Sequence, residues 1–380
     1  MKVVIAPDSF KESLTALEVA LAIEKGFKKV YPEADCQLIP MADGGEGTVQ
    51  SLVDALKGSL VSAEVKAPLG NLVKAEFGIS GDKKTAIIEM AAASGLHLVP
   101  MDKRNPRKTS SYGTGQLIKQ ALDLGVKKII LGIGGSATND GGSGMLCALG
   151  VNFLDKEGKA LIPQGGEDLL LIEKVDLSNL DPRLKEVEIE VACDVSNPLC
   201  GKNGASATFG PQKGANPEMV EFLDKALLHY SQVIERDLNI NIRDGAGCGA
   251  AGGMGGGLKI LPKVQLKAGV EIVINTVDLA AAVKEADLVI TGEGRMDSQS
   301  IHGKTPVGVA KTAKKFNKPV IAIVGCLRED YETVYEHGID AVFPIIRQLA
   351  PLEEILKEGR DNLISSAQNV ARVLKLIKLN

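Results

Sequence analysis

The first apolar run, KVVIA, is short and β-branched, and the polar stretch PDSFKES separates it from a different rhythm. Ala16, Val19, Ala20, Ile23 and Phe27 recur at three- and four-residue spacing behind Thr15 and Glu18, the two ends of a capping box, so a strand followed by a helix is predicted. CQLIPM reads as a second strand, and after ADGGEGT the positions Val49, Leu52, Val53 and Leu56 mark a second helix. The beginning of the chain is therefore a βαβα pattern. From Ser59 the pattern changes: VKAEFGI and KTAIIEM are separated only by SGDKK, a spacing that predicts a hairpin. Onward to Val273, helices around 116–124 and 218–234 mix irregularly with the strands KKIILGIG and EIEVACD and with glycine-rich loops. Beyond Leu279 the alternation returns as DLVIT, a helix over 305–316, PVIAIVG, a helix near Tyr331, AVFPII and a helix from Glu353.

The simplest assembly joins both chain ends, residues 1–60 and 275–380, into one α/β domain with a parallel sheet, into which residues 61–274 are inserted as a second α/β domain. The expected site lies in the cleft between them. A chain of 380 residues, 44% apolar, can fill two cores. The net charge of −4 advertises no basic face for nucleic acid or anionic lipid, and 3% aromatic residues with no Trp leave little for base stacking. Cys36, Cys147, Cys193, Cys200, Cys248 and Cys326 form no close CxxC pair, which speaks against a zinc site or a disulfide framework. With no signal-peptide pattern and no long apolar run, the expectation is a cytoplasmic protein acting on a small polar molecule, with homo-oligomerisation left open.

Polar, glycine-rich loops follow the apolar strands, which is where ligands gather in open α/β sheets. Asp8, Ser9 and Lys11 follow the first strand, Asp43 and Glu46 the second, and Asn139 and Asp140 follow KKIILGIG. Asp194 and Asn197 follow EIEVACD, and Glu293, Arg295 and Asp297 follow DLVIT. Any one such loop could be only a turn. So many carboxylates at strand exits repel one another unless a cation neutralises them, which points to magnesium and phosphoryl transfer. Backbone amides beside a helix start bind phosphate without a side chain, and Ser110, Gly113 and Gly115 in SSYGTGQLIKQAL are placed for that.

GEGRMDSQSIHGKT ends like a P-loop, but counting back from Gly303 puts Ser298 where the first glycine belongs, so the motif fails by one residue. The run GAGCGAAGGMGGGL is read as close packing together with ligand approach. The four histidines share no ligand spacing, and no GxSxG elbow is present. A dehydrogenase is disfavoured for want of a convincing dinucleotide fingerprint.

Taken together, APDSFKESLTALEVA, PMADGGEGT, GIGGSATNDGG, ACDVSNPLCGKNGA, FGPQKGA, GAAGGMGGGL and VITGEGRMDSQSIHGKTPVGVA resemble the bacterial type I glycerate kinases, almost from Met1 to the last helices. That resemblance implies an ATP-dependent, magnesium-requiring kinase of D-glycerate, acting at the 2-hydroxyl, with a Rossmann-like domain built from both chain ends. The working roles are Asp194 as the base with Asp8 as its alternative, and Lys11 and Lys304 offsetting charge on phosphoryl or carboxylate groups. Asp297, Glu293 and Asp43 are the expected metal ligands. Donors to the nucleotide are expected from Ser110, Gly113 and Gly115 and from Gly135, Ser136, Asn139 and Asp140. The competing reading is a binding-only sensor of a small organic acid on a kinase-derived scaffold; loss of the strand-exit carboxylates would have favoured it, and they are present.

Overall fold

The computed structural model describes residues 1–45 and 47–377; Glu46, a strand-exit carboxylate in the sequence, lies outside them. The chain divides into two compact units, one formed by Met1–Lys57 with Ala268–Asn380 and the other by Gly58–Lys267.

The discontinuous unit carries a wholly parallel sheet in the order Asp35–Leu38, Lys2–Ile5, Leu288–Thr291, Val320–Val324, Ala341–Pro344. Counted along the unit, the second strand stands outside the first, and the third, fourth and fifth follow on its other side. The winding therefore reverses between Lys2–Ile5 and Leu288–Thr291, and a crevice opens at the carboxyl ends of those two strands. Val3, Val4 and Ile5, and all of Leu288–Thr291, are buried, because a parallel sheet is covered on both faces. Thr15 caps the Ala16–Lys28 helix by the predicted box, accepting from the Glu18 amide at 3.3 Å while its own amide donates to the Glu18 carboxylate at 2.9 Å. Val19, Ile23 and Phe27 of that helix share a core with Ile290, Ile323, Leu363 and Ala367. The C-terminal helix expected from Glu353 is two helices, Leu352–Lys357 and Gly359–Ile377, and the helix expected near Tyr331 is a 3-10 segment, Tyr331–His337.

The inserted unit has a mixed sheet in the order Val264–Lys267, Glu188–Ala192, Lys128–Gly132, Thr85–Glu89, Leu72–Ile79, Ser59–Lys66. The hairpin is present, pairing Gly78 with Ile87 and Ile79 with Ala86. Ser59–Lys66, paired along its length with Leu72–Ile79, has no counterpart in the sequence reading, since most of its side chains are polar or exposed and the apolar alternation is weak. Ala250–Leu258, the glycine run, is helical apart from a left-handed stretch at Ala251, Gly252 and Gly253. A Cβ on Gly252 would stand 2.0 Å from the carbonyl oxygen of Thr138, so the run packs backbone to backbone on the 138–142 loop. No helix among the described residues is long and apolar enough to cross a membrane.

Candidate active site

In the discontinuous unit the hydrogen bonding of the first and third strands continues past their ends. The Ala6 amide donates to Ile290 and the Asp8 amide to Gly292, each at 2.8 Å, so the chain carries Asp8 to the switch point beside Glu293. One Asp8 oxygen accepts from the Ser9 amide at 2.7 Å; the other accepts from the Thr305 hydroxyl at 2.7 Å, on the first residue of the Thr305–Lys314 helix. A tight turn then joins the Phe10 amide to the Leu14 carbonyl at 2.8 Å, with Glu12 in the left-handed region at φ 65, and presents Lys11 at the exposed rim.

Glu293 is buried, and one of its oxygens accepts from the buried Ser300 hydroxyl at 2.5 Å. Lys304 lies 3.4 Å from the other oxygen and 3.8 Å from Asp297, whose second oxygen is 3.3 Å from Arg295. Asp297 also caps the Ser298–Ile301 turn. Lys304 thus folds back onto carboxylates, a different arrangement from a P-loop lysine. Asp43 accepts from the Gly45 amide at 3.0 Å.

Asp8, Lys11, Asp43, Glu293, Arg295 and Lys304 line one cleft of about 460 Å³. Burial first, and then repulsion from Asp43, push the Asp8 carboxyl up to about 6 against the pull of Thr305, Ser9 and Lys11. Burial likewise pushes Glu293 up to about 7, opposed by Ser300 and Lys304. The Asp8 carboxyl, desolvated and repelled by Asp43, sits in an environment that a divalent cation relieves. Magnesium takes one or two carboxylates together with waters and phosphate oxygens, and this pair fits that habit. No trio of His, Cys, Asp or Glu side chains among the described residues is grouped to hold a metal ion. Glu293 and Asp297, expected as metal ligands, are engaged by Lys304 and Arg295, and Asp297 sits behind Glu293 without lining the cleft.

The remaining predicted residues belong to the inserted unit. Gly113 and Gly115 lie inside the Tyr112–Asp123 helix instead of ahead of it. Their missing Cβ atoms would fall 2.0 Å from the Lys66 carbonyl oxygen and 2.3 Å from that of Met145, so both glycines serve close packing. The anion at this helix start is the protein's own Asp140, fully buried, accepting from the Ser111 amide at 2.8 Å, the Ser111 hydroxyl at 2.7 Å, and the amides of Gly142 and Gly144. Asn139 is buried as well and donates to Ser206 at 3.0 Å. The glycines Gly113 and Gly115, expected among the nucleotide donors, thus serve internal packing, and internal hydrogen bonds engage Asp140 and the Asn139 amide nitrogen. Ser110 borders a small cavity of about 80 Å³ shared with Lys66, Lys108 and Tyr112. Gly135 is exposed, and the Ser136 hydroxyl accepts from Lys213 at 2.7 Å. Asp194 is exposed just past the Glu188–Ala192 strand.

Sequence reasoning missed Lys213 and Thr305. Lys213 is fully enclosed, donates also to the Thr138 carbonyl at 2.6 Å, and is pushed down to about 7 by burial, with Asp140 opposing. Nothing in the string FGPQKGA separates it from a surface lysine. Thr305 follows the near P-loop, and a hydroxyl at a helix start was the available signal.

A parallel α/β unit that collects acids and two lysines at its switch point is an enzyme scaffold suited to a charged small molecule. The model of the glycerate kinase family matches residues 3–375. Over 374 residues the chain is 70% identical to a glycerate kinase of Haemophilus influenzae, covering 98% of this chain and 99% of that one. It is 54% identical to the glycerate 2-kinase of Escherichia coli, with 99% and 98% covered. The crystal structure of a candidate glycerate kinase 2 from Salmonella typhimurium LT2 matches with a TM-score of 0.93 at 55% identity, each chain covered in full. The chain belongs to the glycerate kinase family, and it is a kinase.

Proposed function

We propose that this enzyme transfers the terminal phosphoryl group of ATP to the 2-hydroxyl of D-glycerate, giving 2-phosphoglycerate with magnesium present. The observation that carries the reading is the set of Asp8, Asp43, Glu293, Lys11 and Lys304 around one cleft at the switch point of the sheet. Phosphoryl transfer asks for positioning and charge neutralisation above covalent chemistry. In this reading Asp8, oriented by Thr305 and Ser9, accepts the proton of the acceptor hydroxyl. Asp43 would hold the magnesium ion, directly or through water, and the ion would supply charge neutralisation for the phosphates. Lys11 and Lys304 offset the charge of the phosphoryl group and the acid's carboxylate, and Glu293 and Asp297 hold Lys304 in place. In the inserted unit, Ser110, Gly135 and Ser136 are the remaining donors proposed for an anion, and Asp194 is the rival acceptor of the proton.

Release of ADP from ATP, measured by a coupled assay with D-glycerate and magnesium, tests the reaction. Turnover that needs all three components and stops with EDTA is expected; ³¹P NMR then assigns the product. Binding of D-glycerate without ADP formation would instead establish the sensor.

A further inference from the structure

The cleft is larger than its charged lining requires. Its acids and cations come from the loops after the first, second and third strands, whereas the rest of its wall is aliphatic and aromatic: Phe10, Ile345, Ile346, Leu352, Ile355 and Leu356. Most of these follow the edge strand Ala341–Pro344 or belong to the short helix Leu352–Lys357. Ile346 and Leu352 are 40% and 67% exposed, so aliphatic side chains face water beside a charged site. A three-carbon hydroxy acid carries no apolar surface to cover them. It also fills little of a cleft of about 460 Å³, a volume in the roughly 300–1,000 Å³ range of pockets that enclose drug-sized ligands.

We propose that this apolar wall receives the purine base of the nucleoside triphosphate, while Lys11, Arg295 and Lys304 draw its phosphates to the charged lining of the same cleft. The assignment rests on the kinase reading above and places the nucleotide in the discontinuous unit. A flat heterocycle laid against Leu352 and Ile346 removes their exposed surface from water, and the phosphate tail complements the cations at the strand ends. No other part of the reaction mixture combines an apolar face with several negative charges.

Calorimetry on the full chain tests it with two probes: magnesium ATP, and inorganic tripolyphosphate, which keeps the charges and lacks the base. Leu352→Gln and Ile346→Gln change exposed side chains, and circular dichroism confirms that each variant is folded. Expected is a dissociation constant for ATP raised on the order of five- to tenfold in Leu352→Gln, because the base then covers less aliphatic surface, with tripolyphosphate binding unchanged. The KM for D-glycerate stays at the wild-type value. Unchanged ATP affinity in both variants overturns the proposal, as does an equal loss for ATP and tripolyphosphate. A raised KM for D-glycerate with ATP binding intact overturns it in favour of an acid-binding wall, and loss of a dimer in sedimentation with ATP binding intact overturns it in favour of a second copy of the chain. Wild-type protein that forms no ADP at all would instead remove the kinase reading, an outcome separate from any of these.

Discussion

Thr305 donates its hydroxyl to the Asp8 carboxylate at 2.7 Å, tying together residues 297 positions apart in the chain. The bond closes the discontinuous unit across its switch point and orients the acid at the base of the cleft. Thr305→Val keeps the shape of the side chain and removes the donor. Stability is expected to fall by about 1–3 kcal/mol, the cost of leaving a desolvated acceptor unpaired, and kcat to fall with it. Thr305→Ser restores both. Urea unfolding and steady-state kinetics on the two variants check this, and a valine variant that matches wild type in both would leave the bond without a role.

Asp8 and Asp194 are separated by a pair of substitutions. Asp8→Asn is expected to lower kcat by roughly 10² to 10⁴, the usual loss on removing a general base, while the dissociation constant for ATP changes little. Asp194→Asn is expected to retain most of the turnover. The reverse ordering of the two kcat values would transfer the role of base to Asp194.

Burial holds Lys213 at about 7, below the ordinary lysine value of 10.5. Between those two pH values the unfolded chain binds more protons at this position than the folded one, so this residue makes stability rise as pH increases from about 7 towards 10.5. Below about 7 both states are protonated and the cost of burying the charge is present in full. In Lys213→Met that slope is absent. Unfolding free energies at a series of pH values from neutral to alkaline, taken as wild type minus variant, should climb; a flat difference would show that Lys213 is not desolvated in solution.

Gly252 has φ +69, and a Cβ there would meet the Thr138 carbonyl oxygen at 2.0 Å, whereas Gly158, at φ +75, has nothing within 4 Å of its Cβ position. Gly158→Ala is expected to cost roughly 1–2 kcal/mol, the strain of a left-handed alanine. Gly252→Ala adds overpacking of typically about 1–3 kcal/mol against backbone that cannot rotate away. Chemical denaturation of the two alanine variants side by side should show the second well below the first.

Strands, helices and the candidate chemistry were legible to different depths. The buried strands Lys2–Ile5, Leu288–Thr291 and Val320–Val324 stood out because a sheet covered on both faces demands uninterrupted β-branched runs. Ser59–Lys66 did not, because a half-exposed strand shares its composition with a loop. Among the acids, Asp8, Asp43 and Glu293 were found from their place after a strand, and the same rule also picked out Asp140, which the fold turns inward as the anion of its own helix start. A one-dimensional pattern records that an acid follows a strand, not the direction in which it points.

From the order of residues alone came the alternating ends of the chain, the different middle and the carboxylate-bearing strand exits, which depend on local periodicity and spacing, and the family resemblance, which depends on the likeness of whole motif strings. Which acids share a cleft, which are consumed by Lys304, Arg295 or a helix terminus, that Lys213 is enclosed, and that an aliphatic wall stands beside the charges were decided by the folded chain. The reason is physical: ion pairing, desolvation and surface exposure depend on distances between segments up to hundreds of residues apart, as Asp8 and Thr305 are, and those distances exist only once the sheet has assembled.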